Sequence, residues 1–286
     1  MKYKVIAFGE IVWDLLPGGK QIGGAPLNFC FFADKAGADS FVLSAIGNDM
    51  LGEDTLKILS GAGVSLSFIQ RNDMPTGCVN VQLDEQGLPE YEIVENVAWD
   101  EIKCTQEAME LIQDASVFCW GSLAQRNEIS RNSLLQLLSA LPVNCLKVFD
   151  INIRQHYYSV EIIRQSLQYA DVLKLNEDEL PLVASLFDIE GAESDIIRKL
   201  IDTYSLKYLI YTHGADFSEV YGCNGEYSHV DTPKVEVKDT VGAGDSFTAA
   251  FVVSLLRGRT LEDSHKIAVD VSAQVCTKDG AIDVSA

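Results

Sequence analysis

The chain has 286 residues, enough to bury a full core, and its apolar share of 47% is ordinary for a globular protein. Its 42 acidic and 22 basic side chains give a formal net charge of −20, which argues against nucleic acid as a partner because nucleic-acid binding needs basic patches. No apolar run approaches the roughly 18–20 residues that cross a membrane, and the N-terminal residues lack a signal-peptide pattern, so we expect a cytoplasmic protein with no membrane partner.

The first third of the chain predicts a small β structure. Residues 76–94 alternate apolar and polar around an Asp84-Glu85-Gln86-Gly87 turn, which is typical of a β-hairpin. Together with residues 11–21 this hairpin is expected to form a β-lid, which would exclude water from an active site. The alternative interpretation is an edge hairpin that packs against a partner subunit. We expect a single domain, 1–286, with the lid at about residues 11–21 and 74–99.

Strands and helices alternate after residue 100. Apolar runs predict strands at 117–120, 147–149, 172–175 and 208–211, and helical patterns predict helices at 130–141, 160–169, 177–186 and 195–204. This alternation predicts an α/β fold with a mostly parallel sheet that helices cover on both faces. Ligands bind at the carboxyl ends of the strands in such sheets, and polar residues follow each predicted strand.

The segment Asp239-Thr240-Val241-Gly242-Ala243-Gly244-Asp245 is a turn of small residues that runs into a helix, which we expect to end at Arg257-Gly258. Backbone N–H groups at a helix N-terminus lack intrahelical partners and carry the positive end of the helix dipole, so this turn predicts an anion pocket. Asp245 beside the pocket could accept the proton of an incoming hydroxyl while the amides stabilise a phosphoryl group. In the alternative interpretation Asp245 only caps the helix.

Two motifs carry a resemblance to a known family. Asp239-Thr240-x-Gly242-Ala243-Gly244-Asp245 resembles the signature of the ribokinase-like (PfkB-type) carbohydrate kinases. Gly23-Gly24-Ala25-Pro26-Leu27-Asn28 resembles the sugar-binding signature of that family, in wording typical of its fructokinase branch. Further matches begin at Gly9-Glu10, continue through the segments 47–52, 76–83, 150–154, 176–179 and 212–214, and end at 278–281. The resemblance implies a ribokinase-like fold with a small β-lid.

The resemblance also implies an activity: ATP-dependent phosphorylation of a sugar, above all the 6-hydroxyl of D-fructose, with Mg²⁺ as the metal. Asp245 would be the base, and the backbone amides of Gly242, Ala243, Gly244 and Asp245 would form the anion hole. The implied sugar contacts are Asp14, Gly24, Asn28 and Arg154. The implied Mg-ATP contacts are Asn176, Thr212 and Gly214, with Glu179 reaching Mg²⁺ through water. Backbone oxygens of Asp239 and Thr240 could hold a monovalent cation, which leaves a K⁺ requirement open, and lids of this family often pair, which implies a homodimer.

Several alternatives stay open at this point. Asp150, Asn152 and Arg154 would share one face of an extended segment, where Arg154 either meets the substrate or forms a salt bridge with Asp150. Asn176 and Glu179 also have the spacing of a capping box. The acceptor could be 2-keto-3-deoxygluconate, whose carboxylate Arg154 could bind, or ribose or a nucleoside. Different classes are a non-catalytic sugar or nucleotide sensor and an NAD-dependent oxidoreductase, although the dinucleotide fingerprint is missing.

Overall fold

A nine-stranded sheet forms the centre of the fold in the computed structural model, which describes residues 2–16, 18–83 and 89–282. In chain order the strands are β1 (Lys4–Phe8), β2 (Val12–Leu16), β3 (Gly19–Gly23), β4 (Asp39–Gly47), β5 (Ile69–Asn72), β6 (Cys78–Leu83), β7 (Pro89–Ile93), β8 (Val117–Trp120), β9 (Leu146–Asp150), β10 (Val172–Asn176), β11 (Tyr208–His213), β12 (Phe217–Gly222) and β13 (Tyr227–Asp231). The large sheet has the order β13-β12-β11-β10-β9-β8-β1-β4-β5. Its strands pair in parallel from β5 to β11, and β12 and β13 are added antiparallel.

Helices cover both faces of this sheet. They are α1 (Ala25–Lys35), α2 (Met50–Gly61), α3 (Gln106–Leu111), α4 (Glu128–Ala140), α5 (Val160–Tyr169), α6 (Glu179–Leu186), α7 (Glu193–Tyr204), α8 (Ala243–Leu256) and α9 (Leu261–Val275), with short 3₁₀ turns at Ala98–Glu101, Ile112–Asp114 and Leu123–Arg126. Successive strand residues point to opposite faces, so β1 sends Ile6 and Phe8 into the apolar layer under α3–α7 and Val5 and Ala7 into the layer under α1, α2, α8 and α9. The predicted α/β architecture, with a mostly parallel sheet between helical layers, is confirmed.

The predicted strands and helices after residue 100 are all present, with ends that differ by at most two residues. The helix predicted from residue 177 begins at Glu179, because the Asn176 side chain accepts hydrogen bonds from the amides of Asp178 and Glu179 and holds the preceding residues in a turn. The helix after the glycine turn begins at Ala243 and ends at Leu256, directly before the predicted stop at Arg257-Gly258. No helix in the described ranges combines the length and the apolar character that spanning a membrane requires.

The predicted β-hairpin pairs β6 with β7, and its turn at residues 84–87 lies outside the described residues. With β2 and β3 it forms a separate four-stranded sheet of order β3-β2-β6-β7, in which β2 and β6 are parallel. Asp49 ties this sheet to the main one: its carboxylate accepts hydrogen bonds from the Thr76 amide (2.7 Å), the Thr76 hydroxyl (2.7 Å) and the Gly52 amide (2.8 Å). These bonds fix the position of the chain at Thr76, directly before β6.

A buried ion pair anchors the chain where it leaves the small sheet. Arg126 bonds both carboxylate oxygens of Asp100 at 2.7 and 2.8 Å, donates to the Val94 carbonyl at 2.7 Å and lies 4.0 Å from the centre of the Trp99 ring. The side chains of Arg126 and Asp100 are only 7% and 3% exposed. Removing one member would leave the other as an uncompensated buried charge.

We expect Arg126→Leu to lower the free energy of unfolding by about 3–5 kcal/mol, because Asp100 would stay buried without its partner. Urea denaturation measures the change. Arg71→Leu is the matched control, since Arg71 pairs with Glu53 at the surface and such pairs contribute about 1 kcal/mol or less. Equal effects of the two substitutions would contradict the assignment of Arg126 as an anchor.

Candidate active site

A cavity of about 1250 Å³ opens between the carboxyl ends of the main-sheet strands and the small sheet. The small sheet contributes Val12, Asp14, Val79, Tyr91 and Ile93 to its wall. Among the residues predicted from the sequence, the cavity is lined by Asp14, Gly24, Asn28, Arg154, Asn176, Thr212, Gly214, Thr240, Gly242, Ala243, Gly244 and Asp245. Glu179 and Asp239 are not among the residues that line the cavity. The fold thus brings residues separated by more than two hundred positions to one edge of the sheet, as the strand topology predicts.

Helix α8 points its first amides into the cavity. Gly242 precedes the helix with a φ of +78°, and a Cβ there would lie 2.5 Å from the Ala281 side chain, so only glycine fits. No described residue accepts a hydrogen bond from the amides of Gly242, Gly244 or Asp245. The structure differs from the prediction at Ala243, whose amide already donates to the Thr240 carbonyl at 3.2 Å. The cavity wall therefore has three amides without a hydrogen-bond partner among the described residues, whereas the sequence predicted four.

Asp245 stands beside these amides, half-buried in the cavity wall. Its Oδ2 accepts a 2.8 Å hydrogen bond from Nδ2 of Asn28, a buried residue of α1, while Asn28 Oδ1 is buried and receives no hydrogen bond from the described residues. Burial and the nearby charge of Asp150 raise the pKa of Asp245 to about 6, against the lowering effects of Asn28, Lys174 and Arg154. The carboxylate can therefore take up a proton near neutral pH, which a general base requires.

Glu10 is a second buried acid in the same wall, and the sequence analysis gave it no role. It follows β1, it is 4% exposed, and its Oε1 accepts a hydrogen bond from the Ala25 amide at 3.2 Å. Burial, together with Asp245, raises its pKa to about 7 although two backbone hydrogen bonds lower it. Gly24 packs against it, since a Cβ at that position would lie 2.4 Å from the Glu10 carbonyl oxygen. Position 24 thus requires glycine because the protein's own backbone, at Glu10, lies so close to it.

Lys174 is another cavity residue whose role was not predicted from the sequence. It lies in the buried strand β10 at 7% exposure, and its Nζ is 3.3 Å from Asp150 Oδ1. The second oxygen of Asp150 accepts a hydrogen bond from Thr248 of α8 at 3.1 Å. Burial lowers the pKa of Lys174, but the charges of Asp150, Glu179 and Asp245 outweigh burial and raise it, so the ammonium stays protonated. The sequence indicates such a residue by a charged lysine within the apolar run of a buried strand.

The Asp150–Arg154 segment differs from its predicted geometry. Asn152 has a φ of +43°, so the segment is not extended and its polar residues do not share one face. The expected alternative of a salt bridge between Arg154 and Asp150 is wrong, because the ion-pair partner of Asp150 is Lys174. Arg154 is exposed at the cavity rim, and its guanidinium donates only to the Ile153 carbonyl among the described residues.

Asn176 and Glu179 exchange the reciprocal hydrogen bonds of a capping box, but in the turn before α6: Asp178 is the N-cap of the helix and Glu179 its first residue, so the predicted placement of the cap is wrong. Asn176 Oδ1 accepts from the Glu179 amide and Glu179 Oε2 accepts from the Asn176 amide, both at 2.9 Å. The other Glu179 oxygen accepts from the Ile153 amide at 2.9 Å. This carboxylate is 4% exposed and is not among the residues that line the cavity, so a water would have to connect it to a metal there. Thr212 and Gly214 continue the wall along β11, where Gly214 approaches the Glu177 carboxylate.

Asp239 links the loop before α8 to the loop that follows α9 and contains Gly280. Its Oδ1 accepts from the Val241 amide and its Oδ2 from the Gly280 amide, both at 3.0 Å. Both oxygens of the Asp239 side chain thus accept hydrogen bonds from the backbone, and a cation site on backbone oxygens of this loop stays a prediction.

The pKa of Asp245 has a consequence for stability. Its folded pKa of about 6 lies above the ordinary 3.8, so its contribution to stability is full below about pH 4 and is lost as the pH rises through about 6. At pH 8 the fold holds a charge that burial disfavours. We expect Asp245→Asn, which keeps an oxygen for Asn28, to raise the melting temperature at pH 8 by about 2 °C or more and to have less effect at pH 5.

Thermal unfolding of the ligand-free protein at the two pH values measures this difference. Asp202→Asn, which changes an exposed acid on α7, is the control and should shift neither value. A lower melting temperature for Asp245→Asn at pH 8 would contradict the buried-charge account.

The chain is similar to known proteins over nearly its whole length. Residues 8–286 match the pfkB family of carbohydrate kinases. A fructokinase from Escherichia coli is 28% identical over 89% of this chain and 85% of its own length, and an ATP-dependent 6-phosphofructokinase from Thermoanaerobacterium thermosaccharolyticum is also 28% identical, over 98% and 90%.

Solved structures of the same fold include a fructokinase with bound ATP from Xylella fastidiosa, with a TM-score of 0.85 at 21% identity over 99% of this chain and 95% of that one. A fructokinase double mutant from Vibrio cholerae with fructose, ADP and a potassium ion has a TM-score of 0.81 at 23% identity over 99% and 94%. At these identities the likeness concerns the fold. Because the family match spans nearly the whole sequence, the chain belongs to the pfkB family of carbohydrate kinases.

Proposed function

We propose that this chain transfers the γ-phosphoryl group of ATP to the 6-hydroxyl of D-fructose. One observation carries the proposal: the Asp245 carboxylate lies beside the free amides of Gly242, Gly244 and Asp245 in a single cavity. A base and an anion hole in contact are the two parts that phosphoryl transfer to a hydroxyl needs.

In this transfer one bond to the γ-phosphorus forms as another breaks. Asp245 accepts the proton of the sugar hydroxyl, and the hydroxyl oxygen forms a bond to the γ-phosphorus as the bond from that phosphorus to the β-γ bridging oxygen breaks. The products are the sugar phosphate, ADP and a proton on Asp245. The free amides at the start of α8 stabilise the charge on the phosphoryl oxygens during the transfer. Asn28, which lines the cavity, holds the carboxylate in place and is also a proposed sugar contact.

The nucleotide would occupy the end of the cavity formed by Asn176, Thr212 and Gly214. When bound, Mg²⁺ neutralises phosphate charge, and Glu179 suits it as an acceptor for metal-bound water. Backbone oxygens beside Asp239 and Thr240 would hold a monovalent cation behind the anion hole, and K⁺ is the ion present in the Vibrio cholerae structure.

The charges at the acceptor end favour a neutral sugar. Arg154 acts electrostatically on three acids, Glu10, Asp14 and Asp245, and Lys174 acts in addition on Asp245, so acids outnumber cations here. A carboxylate or phosphate on the acceptor would meet this acidic wall, whereas hydroxyl groups can donate to it. The exposed Arg154 is the observation that favours the second candidate, 2-keto-3-deoxygluconate, whose carboxylate it could bind.

We propose that the small sheet acts as the lid, because five of its residues form one wall of the cavity. Closure of the sheet over the sugar would exclude water from the phosphoryl group. Pairing of two lids in a homodimer stays a prediction, which sedimentation equilibrium measures.

The activity is tested by ADP release from Mg-ATP with fructose, 2-keto-3-deoxygluconate, ribose and adenosine, with and without K⁺. We expect turnover with fructose, stimulation by K⁺, and a loss of about 10²–10⁴ in kcat for Asp245→Asn with ATP affinity kept, since only the base is removed.

The outcomes separate the alternatives. Preference for the keto-acid would identify Arg154 as its carboxylate ligand and contradict fructose as the acceptor. Wild-type turnover in Asp245→Asn would remove this residue from the mechanism. Sugar and ATP binding without ADP formation would support the sensor instead of the enzyme.

The pH dependence of kcat/KM tests the role of Asn28. Because its hydrogen bond lowers the pKa of Asp245, we expect Asn28→Ala to move the acid limb of the profile, near pH 6 in the wild type, to higher pH. Asn80→Ala is the control, since Asn80 donates to Glu92 in the small sheet, away from Asp245. An acid limb that stays in place would contradict a direct effect of Asn28 on the base.

A further inference from the structure

Lys174 is a buried cation whose protein contacts leave it unsaturated. An ammonium has three donors, and within the described residues Asp150 is the carboxylate that lies within ion-pair distance of Lys174. The residue lines the cavity, so the remaining donors have access to a ligand there. A buried charge normally needs full hydrogen bonding, so this arrangement calls for an anion from outside the chain.

The position of the ammonium relates it to the anion hole. A Cβ on Gly244 would lie 3.2 Å from Lys174 Nζ, which places the ammonium against the backbone of the first turn of α8. Thr248 fixes the same turn from the other side: its hydroxyl contacts the Gly244 carbonyl at 3.0 Å and Asp150 at 3.1 Å. Lys174, Asp150 and Thr248 thus form one unit that holds the ammonium beside the free amides.

We infer that Lys174 is a catalytic residue that binds the transferring phosphoryl group, as the cationic part of the anion hole. The inference rests on the proposed kinase function. Without Lys174, neutral amides would face a γ-phosphate in a cavity whose wall also contains the acids Glu10 and Asp245. Lys174 offsets that negative charge at the point where the phosphoryl group must sit, and Asp150 keeps the ammonium charged and oriented before the nucleotide arrives.

A purely structural ion pair is the competing explanation, and two variants separate it from the inference. Lys174→Met removes the cation but leaves Asp150 unpaired, which by itself could destabilise the fold. Lys174→Met combined with Asp150→Asn removes both charges and keeps the fold testable. Lys147→Met is the matched control: Lys147 lies on neighbouring β9, 3.3 Å from Asp171, and Asp171 keeps Lys207 as a second partner.

The experiment measures kcat and, by calorimetry, the affinities for ADP and for a non-hydrolysable ATP analogue, both with Mg²⁺. We expect both Lys174 variants to lose about 10²–10³ in kcat, the cost of removing one donor from an anion hole. Their preference for the ATP analogue over ADP should fall by about tenfold or more, because only the analogue carries a γ-phosphate for Lys174 to bind. The Lys147 variant should keep both values.

Two results would overturn the inference alone: a double variant that retains wild-type turnover, or one that retains the wild-type preference for the ATP analogue. Recovery of activity on going from the single to the double variant would show that Lys174 only neutralises Asp150. Failure of the wild-type protein to bind either nucleotide would instead overturn the proposed function, and the inference with it.

Discussion

The buried position of helix α8 is the constraint on which the rest of the structure depends. Residues 246–254 are all buried, and the helix packs between α1, α9 and the sheet, so it has no polar face to turn to solvent. Its first turn must therefore satisfy its amides locally or leave them for a ligand. Thr240 satisfies one amide, and the others face the cavity. A buried helix whose end opens into a cavity supplies a fixed positive potential there without a charged side chain.

The positive potential at the start of α8 contrasts with the acidic character of the chain as a whole. With a net charge of −20, the protein surface repels a polyphosphate, so attraction must come from groups inside the cavity. Lys174 and Arg154 are the basic cavity residues near the acids Glu10, Asp14 and Asp245, and each acts on the pKa values of its neighbours. Burial strengthens these interactions because less water screens them. The same burial raises the pKa values of Glu10 and Asp245, so the fold is less stable at a pH where both groups are ionised.

The two sheets together enclose the cavity. The main sheet supplies the floor, since parallel strands end together at one edge. The small sheet supplies a wall, and its connections are fixed by Asp49 with Thr76 on one side and by Arg126 with Asp100 on the other. These fixed connections hold the small sheet against the cavity.

The sequence by itself determined the strand–helix alternation, the parallel sheet, the hairpin and the start of α8, because these follow from local periodicity and from glycine at a position that needs positive φ. It also indicated which segments meet at the cavity, through motifs that are far apart in the chain. The geometry of residues 150–154 was mispredicted, since the positive φ of Asn152 is set by its surroundings and not by the alternation of polar residues. The partner of Asp150, the occupied amide of Ala243, the buried acid Glu10 and the ammonium of Lys174 against Gly244 were decided by tertiary structure alone. Each of these depends on which strands and helices become neighbours, and on how much water their packing excludes, and local sequence patterns contain neither.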